Sequence, residues 1–109
     1  MKVTVSPAAL GLLRALITRT KVPRDRILLT DWQSTDWQSL TFAGERHELK
    51  LRISGMDSMD AANRLVDELE DAELSVPGHI VADIAVTQPP QWANDDSTVI
   101  SIEALTIVD

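Results

Sequence analysis

The chain has 109 residues, a net charge of −7 and no cysteine. This length suits one domain with its own core, and the lack of cysteine excludes thiolate metal sites, cysteine nucleophiles and disulfide frameworks. The acidic balance argues against direct nucleic-acid recognition, which needs a basic surface. No apolar run approaches the length of a membrane span, and Met1-Lys2-Val3 leads into a polar Ser-Pro rather than a signal-peptide core. We therefore expect a soluble, unexported protein without a membrane partner.

The first predicted element is a helix that begins at Ser6-Pro7 and runs to about Arg19. Serine is favoured at the N-cap, and proline at the first helical position, where its missing N–H costs nothing. The apolar side chains surround the helix axis instead of forming one stripe, which predicts burial on more than one side. The second covering comes either from another helix of this chain or from another subunit.

A tandem repeat follows the start of the first strand: TDWQS occupies residues 30–34 and again residues 35–39. In an uninterrupted strand, a period of five places Trp32 and Trp37 on opposite faces. We expect a break or bulge near Ser34-Thr35, with both tryptophans in the core or at an interface.

The middle of the chain predicts a strand, a helix and a strand. Residues 40–43 are predicted as a short strand and residues 43–46 as a turn into a longer strand over residues 47–54. Asp57 or Ser58 then caps a helix. Its apolar positions share one face and are Met59, Ala62, Leu65, Val66, Leu69 and Ala72.

The last third predicts two strands around a loop. Pro77-Gly78 turns the chain into a strand over residues 79–87, and residues 88–97 are predicted as a loop because Pro89-Pro90 cannot donate to a sheet. The final strand covers residues 98–108. The predicted inward rows are Ile80, Ala82, Ile84 and Val86 in the first of these strands, and Ile100 and Ile102, then Leu105 and Ile107 after a bulge near Ala104, in the second.

These elements predict one α+β domain over residues 1–109, in the order α-β-β-β-α-β-β. It has two helices and a mixed, mostly antiparallel sheet of four to five strands. His47 and His79 each begin a strand and lack the spacing of metal ligands. There is no glycine-rich phosphate loop and no nucleophile elbow. We therefore predict no catalytic, cofactor-binding or metal-binding residue, and no enzyme.

Charge divides the chain unevenly. Residues 1–26 hold six cations and one acid, whereas residues 27–109 hold four cations and 16 acids. A bipolar chain can bind copies of itself head to tail and close into a ring, although the same charges can simply be solvated. We predict that the basic region of residues 14–26 meets the acidic helix of residues 67–73 in a neighbour. The candidate interface residues are Arg14, Arg19, Arg24, Asp67, Glu70, Asp71 and Trp92.

Three segments carry a family resemblance. The first is Asp36-Trp37, followed by GERH at residues 44–47 and an alternating apolar strand; the second is AELSVPGHIV at residues 72–81, after an amphipathic helix; the third is the late strand of residues 99–105. Together they resemble phage-like tail-completion proteins of tailed phages and gene transfer agents, a family catalogued as a domain of unknown function.

The resemblance implies a tail terminator without enzymatic activity or cofactor. Its subunits form a ring, commonly of six, that caps the tail tube and joins it to the head connector. The partners implied are other copies of the chain, the tube and the connector. The location implied is the cytoplasm during assembly and then the particle.

Two other functions stay open from the sequence. One is a small α+β adaptor that binds a protein partner as a monomer or dimer, with Trp92 as an aromatic anchor stiffened by Pro89-Pro90. The other is a small-molecule or enzymatic domain, which requires a concave pocket with convergent polar groups.

Overall fold

The computed structural model describes residues 6–109, so the predicted lack of a signal peptide and the contribution of Lys2 lie outside the described residues. Helix α1 spans Pro7–Thr20, and the Ser6 hydroxyl accepts a hydrogen bond from the Ala9 amide at 3.1 Å. The predicted serine cap and N1 proline are therefore confirmed. Lys21 ends the helix in the left-handed conformation, with φ of 58°.

Strand β1, Ile27–Gln38, follows a short 3-10 turn at Arg24–Arg26 and runs through both copies of the repeat. Its register on the next strand shifts once, between Leu29 and Asp31. The bulge predicted near Ser34-Thr35 is therefore wrong, because the irregularity lies at Thr30, the first residue of the repeat. Since the strand continues, Trp32 and Trp37 do lie on opposite faces of the sheet.

Strand β2, Ala43–Ile53, begins earlier than the sequence predicts. The chain reverses over residues 39–42, where the Ser39 amide donates to the Phe42 carbonyl at 2.8 Å and the Ser39 hydroxyl accepts from the Phe42 amide at 3.1 Å. Residues 40–43 are not a separate strand, and residues 43–46 are strand rather than turn. The fifth strand is therefore not seen within residues 6–109, and the element order is α-β-β-α-β-β.

Helix α2, Ser58–Val66, is shorter than predicted. Asp67 is extended, Glu68 is left-handed with φ of 51°, and Leu69–Asp71 forms a separate 3-10 turn. The acidic residues 67–73 thus follow the helix instead of forming its solvent face. A helix continued through them would place several carboxylates at its negative C-terminal end.

Strand β3, His79–Trp92, extends through the prolines that the sequence places in a loop. Its register on β4, Thr98–Val108, shifts after Val81, after Val86 and after Gln88. An edge strand with bulges tolerates proline, because an outward N–H is not needed there. The first shift also changes the inward row. Val81, Ile84 and Val86 pack on the core, whereas Ile80 is 47% exposed and Ala82 is exposed.

The predicted bulge near Ala104 is also wrong. β4 keeps one register on β2 along its length, so its inward row runs without a phase change, and Leu105 and Ile107 lie on the opposite face. This row comprises Thr98, Ile100, Ile102, Ala104 and Thr106.

The sheet is antiparallel with the strand order β1-β2-β4-β3. One face, here called the inner face, packs against both helices around a core that includes Leu12, Leu16, Leu51, Leu65 and Ile100. The result is the α+β single domain that the sequence predicts. α1 is covered by α2, by Val76 and by the inner face, which supports covering from within the chain.

Candidate interaction surfaces

The C-terminal ends of the two helices are joined by two arginines. Arg19 of α1 donates from Nε to the Leu65 carbonyl at 2.9 Å and from Nη2 to the Asp67 carbonyl. Arg64 of α2 donates from Nε to the Thr20 carbonyl at 2.9 Å. Each helix thus supplies a cation to carbonyls at the other's C-terminus, where backbone acceptors lack partners and the dipole favours positive charge.

This corner brings together part of the predicted interface within one chain. A depression of about 410 Å³ is lined by Arg19, Lys21, Arg64, Asp67, Glu68, Asp71 and Ala72. Cations from one block of the sequence therefore lie beside acids from the other. Arg19 donates to the carbonyls of Leu65 and Asp67 of its own chain, so it stabilises the helix corner within the monomer.

The remaining predicted interface residues are spread over the surface. Arg14 shares a groove with Glu73 and Leu74, on the flank of α1. Arg24 lies in the 3-10 turn immediately before β1 and lines a groove with Leu13, Ile17 and the first residues of that strand. Glu70 is exposed in the 3-10 turn that packs against β3. Trp92 ends β3 and is 55% exposed.

The outer face of the sheet, opposite the helices, has no covering element among residues 6–109. An apolar row crosses one of its ends, formed by Trp37, Gly44, Ile107 and Ile80 on the four strands. A Cβ at Gly44 would collide with the Thr106 carbonyl oxygen, so this position requires glycine. The hairpin loop beside the row exposes Leu40 completely and half of Phe42. Exposed apolar clusters of this kind are typical of protein-binding surfaces.

A hydrogen-bond chain centred on the buried His47 is a polar cluster that the sequence did not predict. Trp32 Nε1 donates to Ser34 Oγ at 2.7 Å, and Ser34 Oγ lies 2.7 Å from His47 Nδ1. His47 Nε2 lies 2.9 Å from Thr106 Oγ1, whose hydroxyl donates to the Glu45 carbonyl at 3.5 Å. Because Thr106 donates onward, neutral His47 carries its proton on Nε2 and accepts at Nδ1 from Ser34.

His47 is completely buried, and burial lowers the pKa of its imidazole; Glu45 opposes this shift and His79 adds to it. The alternation of His47 with Leu49 and Leu51 is the signal that could have identified it as inward-facing. Its two partners are 13 and 59 residues distant in sequence, so no local pattern indicates them.

The remaining observations concern metal ligands, membrane-spanning helices and the pKa values of two aspartates. Within residues 6–109, no group of three or more histidine, aspartate or glutamate side chains is arranged to hold a metal ion. No helix in this part of the chain combines the length and apolar character needed to cross a bilayer. The pKa of the exposed Asp57 is lowered by its hydrogen bond to Arg26, and that of Asp95 by its hydrogen bonds to Ser97.

The fold defines a two-layer α+β domain whose outer sheet face is uncovered among residues 6–109. A scan against protein-family models and searches of curated proteins and of solved structures each returned no match. The resemblance to tail-completion proteins therefore stays a prediction from the sequence.

Proposed function

We propose that this protein is a non-enzymatic structural protein that caps the tail tube of a phage-like particle as a ring and joins it to the head connector. The proposal rests on the sequence resemblance and on the position of two exposed charges. Arg24 directly precedes the edge strand β1, whereas Glu70 lies in a turn packed against β3, the opposite edge strand. Opposite charges at opposite edges favour a head-to-tail contact, the type that closes a ring.

The proposed mechanism is capping. A subunit adds to the last tier of the tube through one surface and lacks the surface that recruits a further tube ring. No covalent step is needed. The open outer face, with Ile80, Leu40 and Phe42 exposed at one end, is the surface we assign to the tube or the connector.

Charge reversal tests the ring. Light scattering at low salt should give a discrete mass of several copies, commonly six, which dissociates at high salt. Arg24→Glu should abolish this species, and adding Glu70→Arg in the same chain should restore it, because each contact joins residue 24 of one copy to residue 70 of the next. Arg46→Glu, on the outer face, is the matched control.

The outcome that contradicts the ring is a mass of one or two copies under every condition. In that case the adaptor function is favoured. It has its own supporting observation, since Trp92 is 55% exposed beside the stiff Pro89-Pro90 segment of β3. Trp92→Ala would then remove binding to the partner without changing the fold.

A further inference from the structure

The two edges of the sheet differ in regularity. β3 is interrupted by three register shifts and contains two prolines, which have no N–H. β1 has a single shift and then pairs with β2 residue by residue from Asp31 to Gln38. Because an edge strand presents a row of unpaired N–H and C=O groups, β1 offers a regular template of eight residues and β3 does not.

The β1 edge has few of the features that protect a sheet edge from pairing. Proteins protect edges with charged side chains, above all lysine, and with proline, bulges or a covering element, and the charged residues in this segment are Asp31 and Asp36. From Asp31 to Gln38 there is no lysine, arginine or proline, and every side chain other than the two tryptophans is exposed. Among residues 6–109, no element pairs with the free side of this strand.

We propose that a second copy of the chain occupies this edge, with β1 pairing antiparallel to β1 about a two-fold axis at Thr35. Such an axis is perpendicular to the sheet, so it joins two four-stranded sheets into one of eight strands with all helices on the same side. The axis must pass through a residue rather than between two residues, because only then do inward side chains lie opposite inward ones.

The repeat determines which residue lies on the axis. With Thr35 opposite itself, each tryptophan lies opposite a glutamine, Trp32 with Gln38 and Trp37 with Gln33 of the second copy. This match exists because the pair Trp-Gln recurs five residues later. Placing the axis at Ser34 instead sets both aspartates opposite tryptophans, which desolvates the carboxylates without giving them partners.

The Thr35 register also determines which residues lie opposite the two aspartates of the repeat. Asp36 lies opposite Ser34 of the second copy, and Asp31 lies at the end of the paired segment, opposite Ser39. No two carboxylates face each other across the new contact. On the outer face, Lys50 of β2 lies opposite Asp31 and Arg46 lies opposite Thr35, whereas on the inner face Asp36 lies opposite Glu45 of its own chain.

Single cysteines test the register directly, because the chain has no cysteine of its own. Thr35→Cys should form an intermolecular disulfide under mild oxidation, since residues opposite each other across antiparallel strands have Cα atoms about 5 Å apart. Gln33→Cys, two residues away on the same face, should link at least about tenfold less, since its counterpart is too distant. Gln88→Cys on β3 is the control for random collision.

A charge variant tests the same contact without a covalent bond. Thr35→Glu places two carboxylates face to face in the dimer, while Arg46 stabilises the new side chain within each monomer. Measured in the Arg24→Glu background, which lacks the ring contact, dimer mass should fall to monomer mass with an unchanged circular dichroism spectrum, and Gln88→Glu should have no effect. Equal linking of all three cysteine variants, or a dimer that persists in Thr35→Glu, would overturn the proposal; so would a protein that is monomeric at every concentration.

The β1–β1 contact does not require the ring. The ring joins residue 24 at the β1 edge to residue 70 beside β3, whereas the dimer pairs β1 with β1. Both contacts use the β1 side of the sheet, so one copy forms one of them at a time. Arg24→Glu should therefore abolish the ring and leave the Thr35→Cys disulfide intact, and Thr35→Glu should remove the dimer alone.

Discussion

Each layer of the fold contains a polar cluster that joins its elements, and the two clusters differ in chemistry. Between the helices, Arg19 and Arg64 donate to backbone carbonyls at the helix ends. Within the sheet, His47 joins Ser34 of β1 to Thr106 of β4 through its two ring nitrogens. The acceptors between the helices are backbone carbonyls, which do not titrate, whereas burial lowers the pKa of the His47 imidazole.

This difference predicts that the stability of the fold depends on pH at the histidine chain and not at the helix corner. A backbone carbonyl acceptor does not titrate, so we expect the helix corner to contribute the same stability at pH 5.5 and at pH 7.5. The histidine chain is satisfied in one tautomer only, because Thr106 donates to Glu45 and Ser34 to His47. Variants in each cluster separate the two contributions to stability.

The largest effect is expected from His47→Ala. It leaves a cavity between β1 and β4 and removes the partner of Ser34 and of Thr106, so the free energy of unfolding should fall by about 3 kcal/mol. Urea denaturation at pH 7.5 measures this loss. The control is His79→Ala, at the start of β3, which should change stability by less than about 0.5 kcal/mol. Equal losses in both would show that the buried chain contributes nothing special.

Arg64→Ala should follow, with a loss of about 2 kcal/mol, because the Thr20 carbonyl loses a charged donor and the helix corner loses packing. Unlike the loss in His47→Ala, this one should be the same at pH 5.5 and at pH 7.5. Arg46→Ala on the outer face is the matched control. A strongly pH-dependent loss in Arg64→Ala would contradict the assignment of the corner as insensitive to pH.

Ser34→Ala should cost about 1 kcal/mol, since it removes one hydroxyl that accepts from Trp32 and donates to His47. Trp32 also lies 5.8 Å from the His47 ring, so its fluorescence should change as well. In a double-mutant cycle with Thr106→Val, the two losses should not add, because both substitutions act through the same imidazole. Strict additivity would contradict the chain.

The smallest effect is the pH dependence of the wild type. Burial lowers the pKa of His47 below its usual value of about 6.5, so the unfolded chain binds more protons than the folded one in this range. The contribution of neutral His47 to the free energy of unfolding is therefore complete above pH 6.5. It is lost as the pH falls from there through the folded-state pKa of His47. In His47→Leu this loss between pH 7 and pH 5 should disappear, and its persistence would assign the pH dependence to other groups.

Local signals in the sequence determined part of the fold. Ser6-Pro7 predicts the start of α1 because a cap depends only on neighbouring residues. The alternation of β2 predicts its inward face for the same reason, and residues 98–108 are a strand as expected. These features together were enough to define two helices, a mostly antiparallel sheet and the α+β class, whereas every strand pair in the structure is antiparallel.

The sequence predictions are wrong where contacts between residues distant in sequence determine the local structure. α2 ends at Val66 because Arg19, which is distant in sequence, bonds the carbonyls of Leu65 and Asp67. Pro89-Pro90 is part of a strand because β3 happens to be an edge, which no local pattern indicates. The basic residues 1–26 and the acidic residues 27–109 are separate along the chain, but in the folded structure Lys21 and Asp71 line the same depression.

The unequal edges of the sheet limit how many copies the β1 contact can join. In polymer chemistry, a monomer with one reactive end has a functionality of one, and it can form pairs but not chains. In the proposed dimer β1 is the one edge that pairs, because the bulges and prolines of β3 prevent strand pairing at the other edge. Edge pairing therefore stops at two copies at any concentration, so a long exposed strand is retained here without the risk of fibril growth.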